Sequence, residues 1–128
     1  MEKESTLLSR RDLDFLLFEW LSVDDLTKRS RFSEHSHETF GGLLDLCEDL
    51  ATRYFAPHNK KNDAHEPTFD GERVSLNPEV KEALDAFAKA DLLAMSMDES
   101  VGGWQLPTAV AGAGLAWFHA ANVGTAAY

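Results

Sequence analysis

Apolar side chains recur along this chain at intervals of three and four for most of its length, the spacing that places them on one side of an α-helix. The clearest case is Phe40, Leu43, Leu44, Cys47, Leu50, Ala51, Tyr54 and Phe55, which form one stripe. Ser33 or Ser36 can cap the start of that helix, and Pro57, which lacks an N–H and disfavours helical geometry at Ala56, predicts its end within a residue or two of Ala56. An earlier cluster, Leu13, Phe15, Leu16, Leu17, Phe18, Trp20 and Leu21, predicts a short helix near 13–21 opened by Asp12. Ser22 followed by Asp25 resembles a capping arrangement and predicts one or two turns over 23–28.

From His58 to Asn77 the period disappears. The run Asn59-Lys60-Lys61-Asn62-Asp63 reads as a solvated loop, and Asp70-Gly71 within Phe69 to Val74 carries the turn signal for a small hairpin. Asn77-Pro78 then predicts a helix start, with Val80, Leu84, Phe87 and Ala88 sharing a face as far as Asp91. A fifth helix follows Gly102-Gly103-Trp104-Gln105-Leu106, with Pro107 at its entrance. Gly112, Ala116, Ala120 and Gly124 recur every fourth residue along it, a narrow ridge suited to close packing by a neighbouring helix. The expected fold is therefore all-α, a bundle of about five helices with one long loop. Residues 1–30 lead into a helical domain over 31–128, and the uncharged Gly124-Thr125-Ala126-Ala127-Tyr128 end reads as an interruption of a longer chain.

Composition narrows the function classes. With 128 residues and 44% hydrophobic content the chain suits a single core. A net charge of −10 disfavours nucleic acid and anionic membrane surfaces, which need clustered Lys and Arg. Cys47 is the one cysteine, so no internal disulfide or cysteine-based zinc site can form, and a reducing cytoplasm is the expected compartment. Met1-Glu2-Lys3-Glu4-Ser5 lacks the pattern of a secretory signal. The Ala- and Gly-rich stretch from Pro107 to Ala121 is shorter than the roughly 20 apolar residues of a spanning helix.

Few residues suggest chemistry. His35, His37, Glu38, His58 and His65 include metal-ligand types, but their spacing supports no closed shell. Cys47 lies on the apolar stripe, where a buried inert thiol is the simpler reading than a nucleophile. Gly112-Ala113-Gly114 lacks the strand, third glycine and downstream acid of a dinucleotide fingerprint. Asp24-Asp25 and Glu48-Asp49 read as solvated helix surface rather than paired catalytic carboxylates. The aromatics Trp20, Phe40, Tyr54, Phe55, Phe87, Trp117 and Phe118 read mostly as core, while Trp104, in a Gly-rich turn, is either a lid over the core or part of a surface that another domain covers.

Two stretches together carry a family resemblance. Asp98-Glu99-Ser100-Val101-Gly102-Gly103-Trp104-Gln105-Leu106-Pro107, followed by the small-residue helix, resembles the Gly-Gly turn in the N-terminal domain of acyl-CoA dehydrogenases. Arg11-Asp12-Leu13-Asp14-Phe15-Leu16-Leu17-Phe18-Glu19 is similar to the extra N-terminal segment of the longer members, which include 3-methylmercaptopropionyl-CoA dehydrogenases. Tyr54-Phe55-Ala56-Pro57-His58-Asn59 and Ala120-Ala121-Asn122-Val123-Gly124 are further matches. Val101 stands where many relatives carry an aromatic, and Gln105 where glycine is frequent.

The resemblance implies the N-terminal helical part of an FAD-dependent enzyme that oxidises an acyl-CoA to its 2,3-enoyl-CoA. In that family a glutamate removes the α-proton, the β-hydrogen leaves as hydride to the flavin, and electrons pass to an electron-transfer flavoprotein. The flavin and the base belong to a middle β-domain and a C-terminal bundle, so no residue here is expected to be catalytic, flavin-binding or metal-ligating. Implied partners are those remaining domains, an acyl-CoA substrate and further copies in a homo-oligomer. Tyr128 is the one candidate for substrate contact, against a plainer reading as a core aromatic. The competing class is a free-standing acidic helical module that binds a basic protein partner.

Overall fold

The computed structural model describes residues 4–128. The secretory-signal reading rests partly on Met1 to Lys3, which lie outside the described residues. The architecture is a helical bundle with a single two-stranded sheet, as the periodicity predicts. The α-helices among the described residues are α1 (Arg10–Asp14), α2 (His37–Leu50), α3 (Asn59–Ala64), α4 (Pro78–Lys89) and α5 (Thr108–Ala126). α2 and α5 form the central pair, with α3 and α4 laid alongside.

The centre follows from the α2 stripe. Phe40, Leu43, Leu44, Cys47 and Leu50 are buried, and Val110, Ala111, Ala113, Trp117, Phe118 and Ala121 of α5 are buried with them in one core cluster. Phe118 stands edge-on to Phe55 and Phe87, with ring centroids 4.8 and 5.0 Å apart, a favoured aromatic arrangement. The close approach of the central pair is made at Gly114, where an added Cβ would lie 3.0 Å from the Cys47 Sγ. The ridge of Gly112, Ala116, Ala120 and Gly124 does not make this contact. Gly112, Ala120 and Gly124 are exposed and Ala116 is half-buried, because the bulky Trp117 and Phe118 take the inner face.

Start signals hold where a side chain has no better partner. Ser36 caps α2 with a reciprocal box, its hydroxyl accepting from the Thr39 N–H at 3.3 Å while Thr39 Oγ1 accepts from the Ser36 N–H at 2.8 Å. α1 is capped by Ser9, whose Oγ accepts from the Asp12 N–H at 3.2 Å, so Asp12 lies inside the first turn rather than at the cap. Ser22 has left-handed geometry with φ of 52° and makes no capping bond to the 3-10 turns over Val23–Lys28. Asn77 precedes α4 without capping it, since its amide is drawn to Asn62 and His65.

Three boundaries differ from expectation. After α1 the backbone widens into a π-helix over Phe15–Trp20. Its contiguous apolar run covers every side of the helix, which can bury only one, so Leu17 is buried while Phe15, Leu16, Trp20 and Leu21 are exposed. The expectation of a core Trp20 is corrected, as 70% of it faces solvent. α2 passes into a π-helix over Ala51–Phe55 and a 3-10 turn over Ala56–His58. Pro57 occupies the start of that turn, where its missing donor costs nothing, and the polar run behind it coils into α3 instead of forming a loop. The hairpin forms as its turn signal predicts, pairing Thr68 with Ser75 and Phe69 with Val74.

Candidate functional site

The Gly-Gly turn before α5 is fixed by its backbone geometry. Gly102 has φ of 83°, in the left-handed region that glycine enters without strain. Any Cβ at Gly103 would strike the Met97 and Ala94 carbonyl oxygens. Gln105 also has positive φ, 52°, in the left-handed region that glycine enters without strain. Two side-chain bonds hold it there: its Oε1 accepts from the Glu99 N–H at 3.0 Å and its Nε2 donates to the Arg31 carbonyl at 3.1 Å. His35 lies 2.7 Å from the Trp104 carbonyl, and Arg31 pairs with Asp98. The stretch just before α2 is thereby tied to the turn.

That turn offers no phosphate cradle. The N–H groups of Gly102, Gly103, Gln105 and Leu106 donate to the carbonyls of Glu99, Asp98, Met97 and Met95 at 2.9–3.0 Å. With those donors spent inside the turn, these residues do not fit a flavin diphosphate. Half-buried Trp104 faces a depression floored by Leu43, Leu46 and Leu106, while Leu93, Met97 and Val101 are 71%, 55% and 67% exposed nearby in sequence.

The second feature is a break in α5 that periodicity did not disclose. Asn122 has φ −165° and ψ 88°, extended backbone within a helix, and is 1% exposed. Its Oδ1 accepts from the Thr125 N–H at 3.2 Å, the bond of an internal N-cap, and its Nδ2 donates to the Phe55 carbonyl at 3.0 Å. Asn62 Nδ2 donates to Asn122 Oδ1 at 3.2 Å and to Thr125 Oγ1 at 2.9 Å, and Thr125 Oγ1 lies 2.7 Å from Nε2 of buried His58. Asn77 Nδ2 completes the network on Asn62 Oδ1 at 3.1 Å and on the His65 carbonyl at 3.3 Å. None of these residues was singled out as a group from sequence. The available signal was Asn122 and Thr125, three apart in a helix that, His119 aside, is otherwise built from apolar and small residues.

Beside this network lies a cleft of about 260 Å³ lined by Asn62, Leu76, Asn77, Val80, Gly124 and Tyr128, among others. Tyr128 stands at its edge with 65% of its surface exposed, so it is not a core aromatic. The other candidates are dispersed. His37 pairs with Asp24 at 2.9 Å, Asp25 with Lys28 at 3.1 Å, and Asp49 with Arg53 at 3.1 Å, while Glu48 lies 4.0 Å from Arg10. Glu38 is exposed beside the α2 cap. Burial pushes the Cys47 thiol up to about 12, which keeps it protonated and unreactive. Among the described residues no three His, Cys, Asp or Glu side chains converge on a possible metal position, and no helix is long and apolar enough to cross a membrane.

Fold and turn together define a mostly helical domain whose Gly-Gly junction feeds a broken small-residue helix. The chain is 31% identical over 102 residues to the broad-specificity linear acyl-CoA dehydrogenase FadE5 of Mycobacterium tuberculosis, a match covering 78% of this chain and 17% of that protein. This similarity supports the acyl-CoA dehydrogenase family, and the chain spans less than a fifth of the relative's length. No family model matches the chain, and no solved structure matches it.

Proposed function

We propose that the chain is the N-terminal part of an FAD-dependent acyl-CoA dehydrogenase, without the domains that hold the flavin and the catalytic base. The similarity over 102 residues to a linear acyl-CoA dehydrogenase carries this reading. In it, residues 1–30 lead into the helical domain over 31–128. The complete enzyme takes an acyl-CoA, holds FAD, passes electrons to an electron-transfer flavoprotein and works as a homo-oligomer in the cytoplasm. The exposed Leu93, Met97 and Val101 beside the Gly-Gly turn, and the outward ridge of α5, are surfaces that neighbouring domains of the enzyme would cover. In this reading Tyr128, which lines the edge of a cleft, is the candidate for substrate contact.

The purified chain, mixed with FAD and a series of acyl-CoA thioesters in the presence of an artificial electron acceptor, tests this. The expected result is no stoichiometric flavin and no turnover. Stoichiometric flavin with acyl-CoA oxidation would show that the missing parts are not needed. The net charge of −10 favours a second reading, an acidic helical module that recruits a basic protein partner.

A further inference from the structure

The depression in front of the Gly-Gly turn combines an apolar floor with negative charge that the fold leaves unspent. Leu43 and Leu46 of α2 and Leu106 form the floor, and half-buried Trp104 stands in the wall. Most of the polar lining is already engaged. Gln105 spends its amide on the Glu99 N–H and the Arg31 carbonyl. Arg31 is paired with Asp98 and reaches the Ser96 carbonyl at 3.5 Å. His35 Nε2 lies against the Trp104 carbonyl, which only accepts, so that nitrogen donates, and the Thr39 hydroxyl belongs to the α2 cap. Two charged groups of the lining remain. The carboxylates of Glu34 and Glu99 are exposed at the rim and make no ion pair among the described residues.

That lining specifies an occupant. An anion would meet two carboxylates, and a purely apolar group would cover the leucines while leaving the rim charge without a counter-charge. A group with an apolar stem and a cationic end satisfies both. Arginine suits it best, because a planar guanidinium offers several N–H donors to carboxylates and stacks on aromatic rings such as the Trp104 indole. The volume, about 580 Å³, lies within the roughly 300–1,000 Å³ of ligand pockets, which leaves room for an apolar neighbour beside the arginine. We propose that this depression docks an arginine-bearing, otherwise apolar polypeptide segment, with Glu34 and Glu99 selecting the cation. The inference rests on the dehydrogenase reading, in which that segment lies in the remaining domains. It deepens that reading by naming the chemistry with which one of those domains meets the Gly-Gly turn.

The test titrates the 128-residue chain with a capped pentapeptide that carries arginine between two leucines. It is run at pH 8, where an ordinary imidazole is uncharged. The Leu43, Leu46 and Leu106 methyl signals and the Trp104 indole N–H should shift saturably. Replacing the arginine with uncharged citrulline should weaken binding at least about threefold, and so should Glu34→Gln combined with Glu99→Gln. Asp63→Asn removes one charge from the exposed surface of α3 and should leave binding unchanged. The inference is overturned if citrulline binds as well as arginine, if Asp63→Asn weakens binding as much as the rim substitutions, if the shifts centre on the Trp20 surface, or if no shift saturates. Equal binding by capped arginine alone would also overturn it, by making the depression a site for a small cation rather than a segment. The citrulline comparison needs no variant, so misfolding of a substituted chain does not rescue the proposal. Failure here refutes the docking assignment alone, because the flavin assay above tests the parent reading by a separate readout.

Discussion

The amide of Asn122 donates to the carbonyl of Phe55 at 3.0 Å, joining the interior of α5 to the end of the π-helical stretch 67 residues earlier. This bond and the internal cap on Thr125 replace helix hydrogen bonds that the break removes. Asn122→Ala would leave the Phe55 carbonyl without this donor and the last turn uncapped. A buried unpaired polar group costs about 1–3 kcal/mol and a lost N-cap about 1 kcal/mol. Chemical denaturation should show a loss of about 2 kcal/mol or more.

Gly112 and Gly114, two residues apart in α5, face different surroundings. A Cβ at Gly114 would lie 3.0 Å from Cys47 Sγ and 3.7 Å from Leu43, whereas one at Gly112 meets nothing within 4 Å. Gly114→Ala should destabilise by about 1–3 kcal/mol through overpacking. Gly112→Ala should stabilise by about 0.4–1 kcal/mol by restricting the unfolded chain. Paired denaturation curves check both signs.

The Cys47 thiol has its ordinary value of 9.0 pushed up to about 12 by burial. The unfolded chain ionises first as pH rises, so the contribution of the neutral thiol is intact below 9.0 and is lost progressively between 9.0 and about 12. Thiol labelling at pH 8 should be slow in the native protein and fast in denaturant. Rapid labelling of folded protein would contradict the buried placement.

Asp70 accepts the N–H groups of Glu72 and Arg73, each at 2.8 Å, and the Arg73 bond followed by the Glu72 bond holds its carboxyl below the usual 3.8. A depressed folded value means that the contribution to the hairpin is present above 3.8 and is lost as pH falls through the lower folded value. Asp70→Ala should remove that acid dependence and loosen the Thr68–Ser75 pairing in amide exchange. Global stability should stay unchanged, because Phe69 and Val74 are largely exposed.

The long periods were legible because burial of one helix face leaves a pattern: the α2 stripe lies wholly in the core, and the Asp70-Gly71 turn specifies its own hairpin. Around Trp20 the pattern misled, since a run apolar on all sides does not say which side is buried. The α3 run was hidden because Asn59 to Ala64 has no buried residue, leaving no period to read. The candidate site was least legible. Its polar network joins His58, Asn62 and Asn77 to Asn122 and Thr125 across the fold, and no local spacing records such a contact.

The central claim is that this chain is one part of an acyl-CoA dehydrogenase. Sequencing the source DNA past the Tyr128 codon tests it most directly. The account predicts an uninterrupted frame that continues into a β-rich segment and then a second helical bundle carrying a glutamate. A stop codon directly after Tyr128 would contradict it and favour the acidic module.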